Sequence, residues 1–138
     1  MRVSEITLQD LKNYFDEVDG NIYAEITVDK DGDESLDLFA YDGVEDDCCF
    51  CSVYKVNANG DIYFNVNGLT FPNGAEEEDF DEDNCTIEEV VSELLSMAKI
   101  NACLGIEGLE NEVLQINTFC SKNNIKNYEY ETSNGKIY

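Results

Sequence analysis

The stretch that decides the fold is residues 22–42, which read IYAEITVDKDGDESLDLFAYD. Apolar and polar side chains alternate in residues 22–29 and again in residues 35–42, which is the period of strands with one buried face. The Asp31-Gly32 pair between them is a typical hairpin turn. The stretch therefore predicts two antiparallel strands that share one apolar face.

The same pattern continues along the chain. Residues 48–56 predict a third strand, and the alternation of apolar residues over 62–66 predicts a fourth. The Asn59-Gly60 pair between them favours a second hairpin turn. Together the four strands predict an antiparallel meander.

Helices are predicted on both sides of the meander. Apolar residues at spacings of three and four over 5–18 indicate a first helix, with Thr7 as its N-cap and Asp10 three residues later. Thr86 and Glu89 form a capping-box pattern at the start of a second helix. This second helix is predicted to run to about residue 103.

The C-terminal part completes the predicted order. Residues 109–122 predict a third helix, and the Asn123-Asn124 pair can end it in the left-handed conformation. Residues 127–138 predict a last hairpin around Asn134-Gly135. The order α-ββββ-αα-ββ, with strands clustered before helices, indicates the α+β class, with an antiparallel meander packed against helices. We interpret residues 1–138 as a single acidic domain.

A long acidic loop interrupts this pattern at about 68–85. Within residues 76–83, seven of the eight side chains are acidic. Because like charges repel, the run cannot pack on itself, and we expect this loop to be mobile. Phe80 is the one apolar residue inside the run, and we interpret it as an anchor for a partner's pocket.

The charge of the chain is strongly negative, with 31 Asp and Glu, 8 Lys and Arg, no His and a net charge of −23. Proteins that grip nucleic acids supply Lys and Arg to the phosphates, so we expect no direct binding to DNA or RNA. Anionic membrane surfaces are excluded for the same reason. The chain also lacks a long apolar run and an N-terminal signal core. We therefore expect a cytoplasmic protein without a membrane segment.

Six cysteines stand in this sequence: Cys48, Cys49, Cys51, Cys85, Cys103 and Cys120. We interpret them as small buried hydrophobic residues with reduced thiols. Because the chain has no His, a zinc site would need thiolates, and the cysteine spacing is not that of a zinc motif. We predict no metal and no cofactor.

Residues 29–37 resemble the start of an EF-hand calcium loop, with carboxylates at positions 1, 3, 5 and 9 of the motif. Glu34 stands where the motif has Gly, and Ala40 stands where it has a bidentate Glu. A tight hairpin between acidic strands produces the same letters. We therefore predict that calcium does not bind tightly at this turn.

Signatures of catalysis are missing from the sequence. There is no His to act as a general base near neutral pH, no Gly-rich phosphate loop and no G-x-S-x-G motif. A reactive Cys needs a base or positive surroundings, and the negative charge of this chain does the opposite. We expect that the protein is not an enzyme.

The excess of carboxylates favours an inhibitor that binds another protein by mimicking nucleic acid. A domain of this length has a diameter of roughly 37 Å, and duplex DNA carries a charge of −23 over roughly 39 Å of its axis. Phages and mobile elements use such mimics against restriction or CRISPR nucleases. The expected partner is a basic protein, such as a nuclease or another nucleic-acid-binding protein.

Two alternatives remain open, beside the simpler interpretation that the acidity only keeps the protein soluble. The chain could be an immunity or accessory protein that neutralises a basic toxin or nuclease, or a phage structural or assembly protein. The nearly neutral residues 99–138 offer a surface for homo-oligomers in any of these cases. The candidate partner-binding residues are the acidic run Glu76, Glu77, Glu78, Asp79, Phe80, Asp81, Glu82 and Asp83, and the outward strand positions Glu25, Asp29, Asp37 and Asp61.

Overall fold

The computed structural model describes residues 1–40, 48–58, 61–66, 69–70, 81, 83–104, 110–131 and 135–137. A short 3₁₀ turn, Val3–Glu5, precedes the first helix. The helices are α1 (Leu8–Glu17), α2 (Ile87–Leu104) and α3 (Glu110–Lys122), and the strands are β1 (Ile22–Val28), β2 (Glu34–Ala40), β3 (Cys48–Ala58), β4 (Asp61–Val66) and β5 (Leu69–Thr70).

The strands form one antiparallel sheet in the order β1-β2-β3-β4-β5, so each strand pairs with its neighbour in sequence. The predicted α+β class with an antiparallel sheet is confirmed. The complete order α-ββββ-αα-ββ includes ranges outside the described residues and remains a prediction. The acidic run at 76–83 also lies outside them, except for Asp81 and Asp83.

The turn between β1 and β2 is held by the side chain of Asp29. Its Oδ1 accepts hydrogen bonds from the backbone N–H groups of Asp31 (2.8 Å) and Asp33 (3.0 Å). Gly32 has a φ of 86°, a left-handed conformation that favours glycine. This turn sets the β1–β2 register, in which Ile22 lies opposite Ala40 and Val28 opposite Glu34.

Helices α1 and α2 both begin at a threonine N-cap. At α1, Thr7 accepts a hydrogen bond from the N–H of Asp10, and the Asp10 carboxylate accepts one from the N–H of Thr7, each at 3.0 Å. The predicted N-cap is therefore confirmed, although the predicted helix over 5–18 begins only at Leu8. At α2, Thr86 accepts a hydrogen bond from the N–H of Glu89 at 3.2 Å. These caps satisfy amide groups that have no partner within the helix.

The core lies between the helices and one face of the sheet. Helix α1 packs on β1 and β2, α2 packs on β4, and α3 packs on β1 and α2. The core residues alternate in the strands and repeat with helical period in the helices, as the sequence predicts. Central members are Leu11, Phe15, Ile22, Ala24, Leu36, Leu38, Val53, Val90, Leu94, Ile116 and Phe119.

The predicted hairpin over 127–138 is described only in part, because residues 132–134 and 138 lie outside the described residues. Asn124 has a φ of 53° and ends the helix in the predicted left-handed conformation. Residues 125–130 have no regular secondary structure, and among the described residues one antiparallel bridge pairs Glu131 with Ile137, on either side of the predicted Asn134-Gly135 turn. Helix α2 holds residues 125–130 with side chains, because Ser92 donates to the carbonyl of residue 126 and Lys99 to that of residue 128.

None of the helices in the described part of the chain combines the length and the apolar character that a membrane span requires.

Gly20 makes a close approach that leads to a first prediction. A Cβ atom at this position would lie 2.6 Å from two ring atoms of Phe119. Phe119 is fully buried, and its ring lies 5.6 Å from that of Phe15. We expect Gly20→Ala to lower the free energy of unfolding by about 1–3 kcal/mol, as overpacking of a core does. Urea unfolding measures this change.

The double variant Gly20→Ala/Phe119→Leu is the control. Because the smaller side chain removes the clash, its destabilisation should be less than the sum of the two single effects. Additive effects, or an unchanged stability of Gly20→Ala, would contradict this account of the contact.

Candidate interaction surface

The predicted site residues that the structure describes fall in four separate places. Glu25 and Asp37 lie opposite each other in β1 and β2, whereas Asp29 lies in the turn that joins these strands. Asp61 begins β4, opposite Ala58 of β3. Asp81 and Asp83 are exposed just before α2, and the other residues of the run at 76–83 lie outside the described ones.

One face of the sheet points away from the helices, and we call it the outer face. Its residues alternate with the buried core residues of β1, β2 and β3, and they pair across the strands. Its members are Tyr23, Glu25, Thr27, Ser35, Asp37, Phe39, Cys49 and Ser52. The outer face therefore combines carboxylates, hydroxyls and aromatic rings.

Asp37 is the centre of a hydrogen-bond network on the outer face. Its Oδ2 accepts from the hydroxyl of Thr27 at 2.9 Å. Its Oδ1 accepts from the hydroxyls of Ser35 at 3.1 Å and Ser52 at 2.9 Å. Hydroxyl donors stabilise a charged acceptor strongly, so this half-buried carboxylate is held in one orientation. Asp37 therefore has a structural role that its sequence position does not reveal.

Asp29 also has a structural role, in the turn between β1 and β2. Because two backbone amides occupy one of its oxygens, its orientation is set by the turn and not by the sheet face. Of the four predicted outward strand carboxylates, Glu25 and Asp37 form a cross-strand pair on the outer face and Asp29 lies in the turn, whereas the side chain of Asp61 lies outside the described set. Among the described residues, no group of three or more acidic or thiol side chains could hold a metal ion.

An aromatic pair lies beside these carboxylates. The rings of Tyr23 and Phe39 are stacked, with centroids 5.2 Å apart and planes 11° from parallel. A β-bulge follows, because β3 has one additional residue, Phe50, between the partners of Leu38 and Phe39. The bulge places Cys49 opposite Phe39, where its side chain is exposed.

The position of Cys49 corrects the prediction that the cysteines are buried. Cys51, Cys85 and Cys120 are buried as predicted, and all four described thiols are free. Burial, with smaller contributions from Cys49 and Asp37, raises the pKa of the Cys51 thiol. Burial also raises the pKa of Cys120 to about 11, whereas the positive charge of Lys99 acts to lower it. Cys48 and Cys103 have side chains outside the described set.

A second acidic surface surrounds the start of α2; Asp81 and Asp83 were predicted site residues, whereas Glu5, Glu88 and Glu89 were not. Burial raises the pKa of Cys85, and the carboxylates of Glu89, Asp81 and Glu5 raise it further, against an opposing effect of the N-terminal ammonium group. These three carboxylates therefore lie around Cys85, just before and at the start of α2. Glu88 lies near Tyr14 of α1, because its charge adds to the effect of burial in raising the pKa of Tyr14. The capping-box pattern at Thr86 and Glu89, together with the adjacent Glu88, was the sequence signal for this surface.

A cavity of about 510 Å³ lies between α2 and the segment after α3. The carboxylates of Glu88, Glu89 and Glu93 line it from α2, and Lys126 and Tyr128 line it from the other side. The ammonium group of Lys126 lies 4.6 Å from the centroid of the Tyr128 ring. The cavity therefore has charges of both signs, unlike the outer face.

The Asp37 network leads to a second prediction. We expect Asp37→Asn to lower the free energy of unfolding by about 1–2 kcal/mol, because hydrogen bonds to a charged acceptor are stronger than those to an amide. The matched control is Glu25→Gln, which removes the same charge from the opposite position. Because it relieves like-charge repulsion across the strands, it should be neutral or stabilising. Urea unfolding measures the free energy of unfolding of both variants. Equal changes in the two variants would contradict the structural role of Asp37.

The thiols lead to a third prediction, best tested in a Cys48→Ser/Cys103→Ser background. We expect one thiol, Cys49, to react rapidly with a disulfide reagent at pH 8, and Cys49→Ser to abolish the rapid phase. With a pKa of about 11, Cys120 is only about 0.1% thiolate at pH 8. Its slow rate should rise about tenfold from pH 8 to pH 9, because the thiolate is the reacting form. Absorbance and mass spectrometry identify each modified residue, and two rapid thiols would contradict the assignment.

The described surface offers a partner carboxylate groups and stacked rings on a rigid sheet. Eight Lys and Arg residues cannot neutralise 31 acidic residues, so most carboxylates remain available to cations. Comparison of the chain with protein-family models, with curated proteins and with solved structures finds no match.

Proposed function

We propose that this protein is an inhibitor that binds a basic, nucleic-acid-binding protein by presenting carboxylates where that protein binds phosphates. The observation that carries the proposal is the net charge of −23 together with the exposure of the acidic side chains. Among the acidic residues whose side chains the structure describes, only Asp37, Glu93 and Glu112 are not exposed. The negative charge is therefore on the surface, where a partner can reach it.

The size of the charge also supports mimicry. A small domain needs a net charge of only about 2–8 for solubility. A charge of −23 on a protein roughly 37 Å across matches the charge of a duplex segment of nearly the same length. A nuclease surface built for DNA would therefore find a similar number of negative groups over a similar distance.

The distribution of the acids indicates which parts make contact. The sheet supplies the pair Glu25 and Asp37, and the start of α2 supplies Asp81, Glu88 and Glu89. The acidic run at 76–83 leads into this second surface along the chain. We assign the main contact to the run and the start of α2, because Asp29 is held by turn amides and Asp37 by three hydroxyls.

A competition experiment tests the proposed function. The immobilised protein is exposed to a nuclease-treated lysate at 150 mM salt, and bound proteins are eluted with a 30-base-pair DNA duplex. Polyglutamate of the same total charge is the matched competitor. Because a mimic occupies the DNA site of its partner, the duplex should release that partner at concentrations at which polyglutamate does not. Equal release by both polymers, or by neither, would contradict mimicry.

Matched variants locate the contact on the released partner. Asp81→Asn/Asp83→Asn should weaken binding about twofold to tenfold, mainly through a slower association rate. The control Glu129→Gln/Glu131→Gln removes the same charge from exposed positions of the nearly neutral C-terminal part. It should change the affinity for the partner little. Phe80→Ala should raise the dissociation rate if the ring is an anchor. Surface plasmon resonance at several salt concentrations measures both rates, and equal effects of the two double variants would contradict the assignment.

A further inference from the structure

The structure points to a more specific contact on the outer face. We propose that the outer face is a docking surface for the basic partner protein, and that an arginine side chain of this partner binds between Glu25 and the Tyr23–Phe39 ring pair. This inference rests on the proposed function, because it names one contact of the same partner. Three properties of the described residues support it: charge, hydrogen-bonding capacity and ring geometry.

The charge on the outer face is unbalanced. Glu25 and Asp37 are direct neighbours across antiparallel strands, an arrangement that is destabilising for like charges. None of the outer-face residues named above is basic. Lys55 is on β3, but its ammonium group donates to the carbonyls of Ser4 and Ile6 on the other side of the sheet. A cation from a partner would relieve the repulsion that this chain leaves in place.

Hydrogen-bonding capacity favours a donor-rich group. The hydroxyls of Thr27, Ser35 and Ser52 all donate to Asp37, so these donors are already used within the chain. Glu25 is exposed, and its carboxylate forms no hydrogen bond or ion pair with the residues that the structure describes. A guanidinium group has five donors and no acceptor, and it binds a carboxylate through two parallel hydrogen bonds. It therefore fits a place where acceptors are available and the neighbouring hydroxyl donors are occupied.

Ring geometry favours arginine over lysine. Tyr23 precedes Glu25 by two residues on the same strand, so the two side chains are separated by roughly 7 Å along the outer face. The Tyr23 ring is stacked on Phe39, and the stack limits its motion. A planar guanidinium group can stack on an aromatic ring while it pairs with a carboxylate, whereas an ammonium group has no plane to stack. Because the Tyr23–Phe39 rings and the neighbouring Asp37 carboxylate are already held in place, these groups lose little conformational entropy on binding.

Short peptides test this contact on the full-length chain. The protein is labelled with ¹⁵N and titrated at 150 mM salt with a tri-arginine amide and, separately, with a tri-lysine amide of the same charge. Tri-arginine should bind at least fivefold more tightly than tri-lysine, with its largest backbone shift changes in residues 23–25 and 37–39. Equal affinities, or shift changes spread evenly over the acidic surface, would overturn the inference.

Variants separate the contact from general charge attraction. Glu25→Gln should weaken tri-arginine binding about tenfold, whereas Glu34→Gln, which removes the same charge from an exposed position of the same hairpin, should change it less than twofold. Tyr23→Leu should reduce the preference for arginine over lysine to less than twofold, with the amide spectrum showing that the fold is kept. Equal effects of Glu25→Gln and Glu34→Gln would also overturn the inference.

The two proposals can fail independently. If duplex DNA releases the captured partner but Glu25→Gln leaves the affinity for that partner unchanged, mimicry stands and the outer face is not its contact. If tri-arginine binds at the outer face as expected but DNA and polyglutamate release the partner equally, the arginine site stands and mimicry is wrong.

Discussion

The register between β1 and β2 is the constraint on which the rest of the structure depends. It places Ala24 opposite Leu38 on the core side and Glu25 opposite Asp37 on the outer face. A slip of one residue would exchange these two sets, because side chains alternate along a strand. Unpaired carboxylates would then enter the core, which costs far more than the hairpin can supply. The turn held by Asp29 and Gly32 prevents this slip.

A protein with this charge must also limit its own repulsion. Several carboxylates accept hydrogen bonds from backbone amides or hydroxyls that lie close to them in the fold. Asp10 accepts a backbone amide at the start of α1, Asp29 accepts two amides in the turn, and Asp37 accepts three hydroxyls. Such bonds give each carboxylate hydrogen-bonding partners without a cation. The chain can therefore keep most of its eight basic residues out of ion pairs with the outer face, and the negative surface is retained.

Some basic residues are used inside the fold. Lys99 is almost completely buried, and its ammonium group donates to the carbonyl of Tyr128. Lys55 donates to two carbonyls beside the 3₁₀ turn, and burial lowers its pKa. Both side chains fix segments that lack regular hydrogen-bond ladders. Two of the few cations thus join parts of the chain, and neither is a member of the outer face.

The sequence by itself determined the elements with strong periodicity: the three helices, the hairpin around Gly32, the cap at Thr7 and the alternating core positions. These depend on local spacing, so they could be predicted with no knowledge of the neighbours. Composition also determined the strong negative charge. The extended segment around Tyr128 could not be predicted, because two side chains from a distant helix hold it in place of a strand partner.

Only the tertiary structure decided what the candidate site residues do. In the sequence, Glu25, Asp29 and Asp37 are equivalent acids near a turn. Their different roles arise from the groups that folding brings to them: two turn amides for Asp29, three hydroxyls for Asp37, and no hydrogen-bonding partner among the described residues for Glu25. The exposure of Cys49 likewise required a bulge between two strands. Pairing across strands depends on register, and no spacing within one strand contains that information.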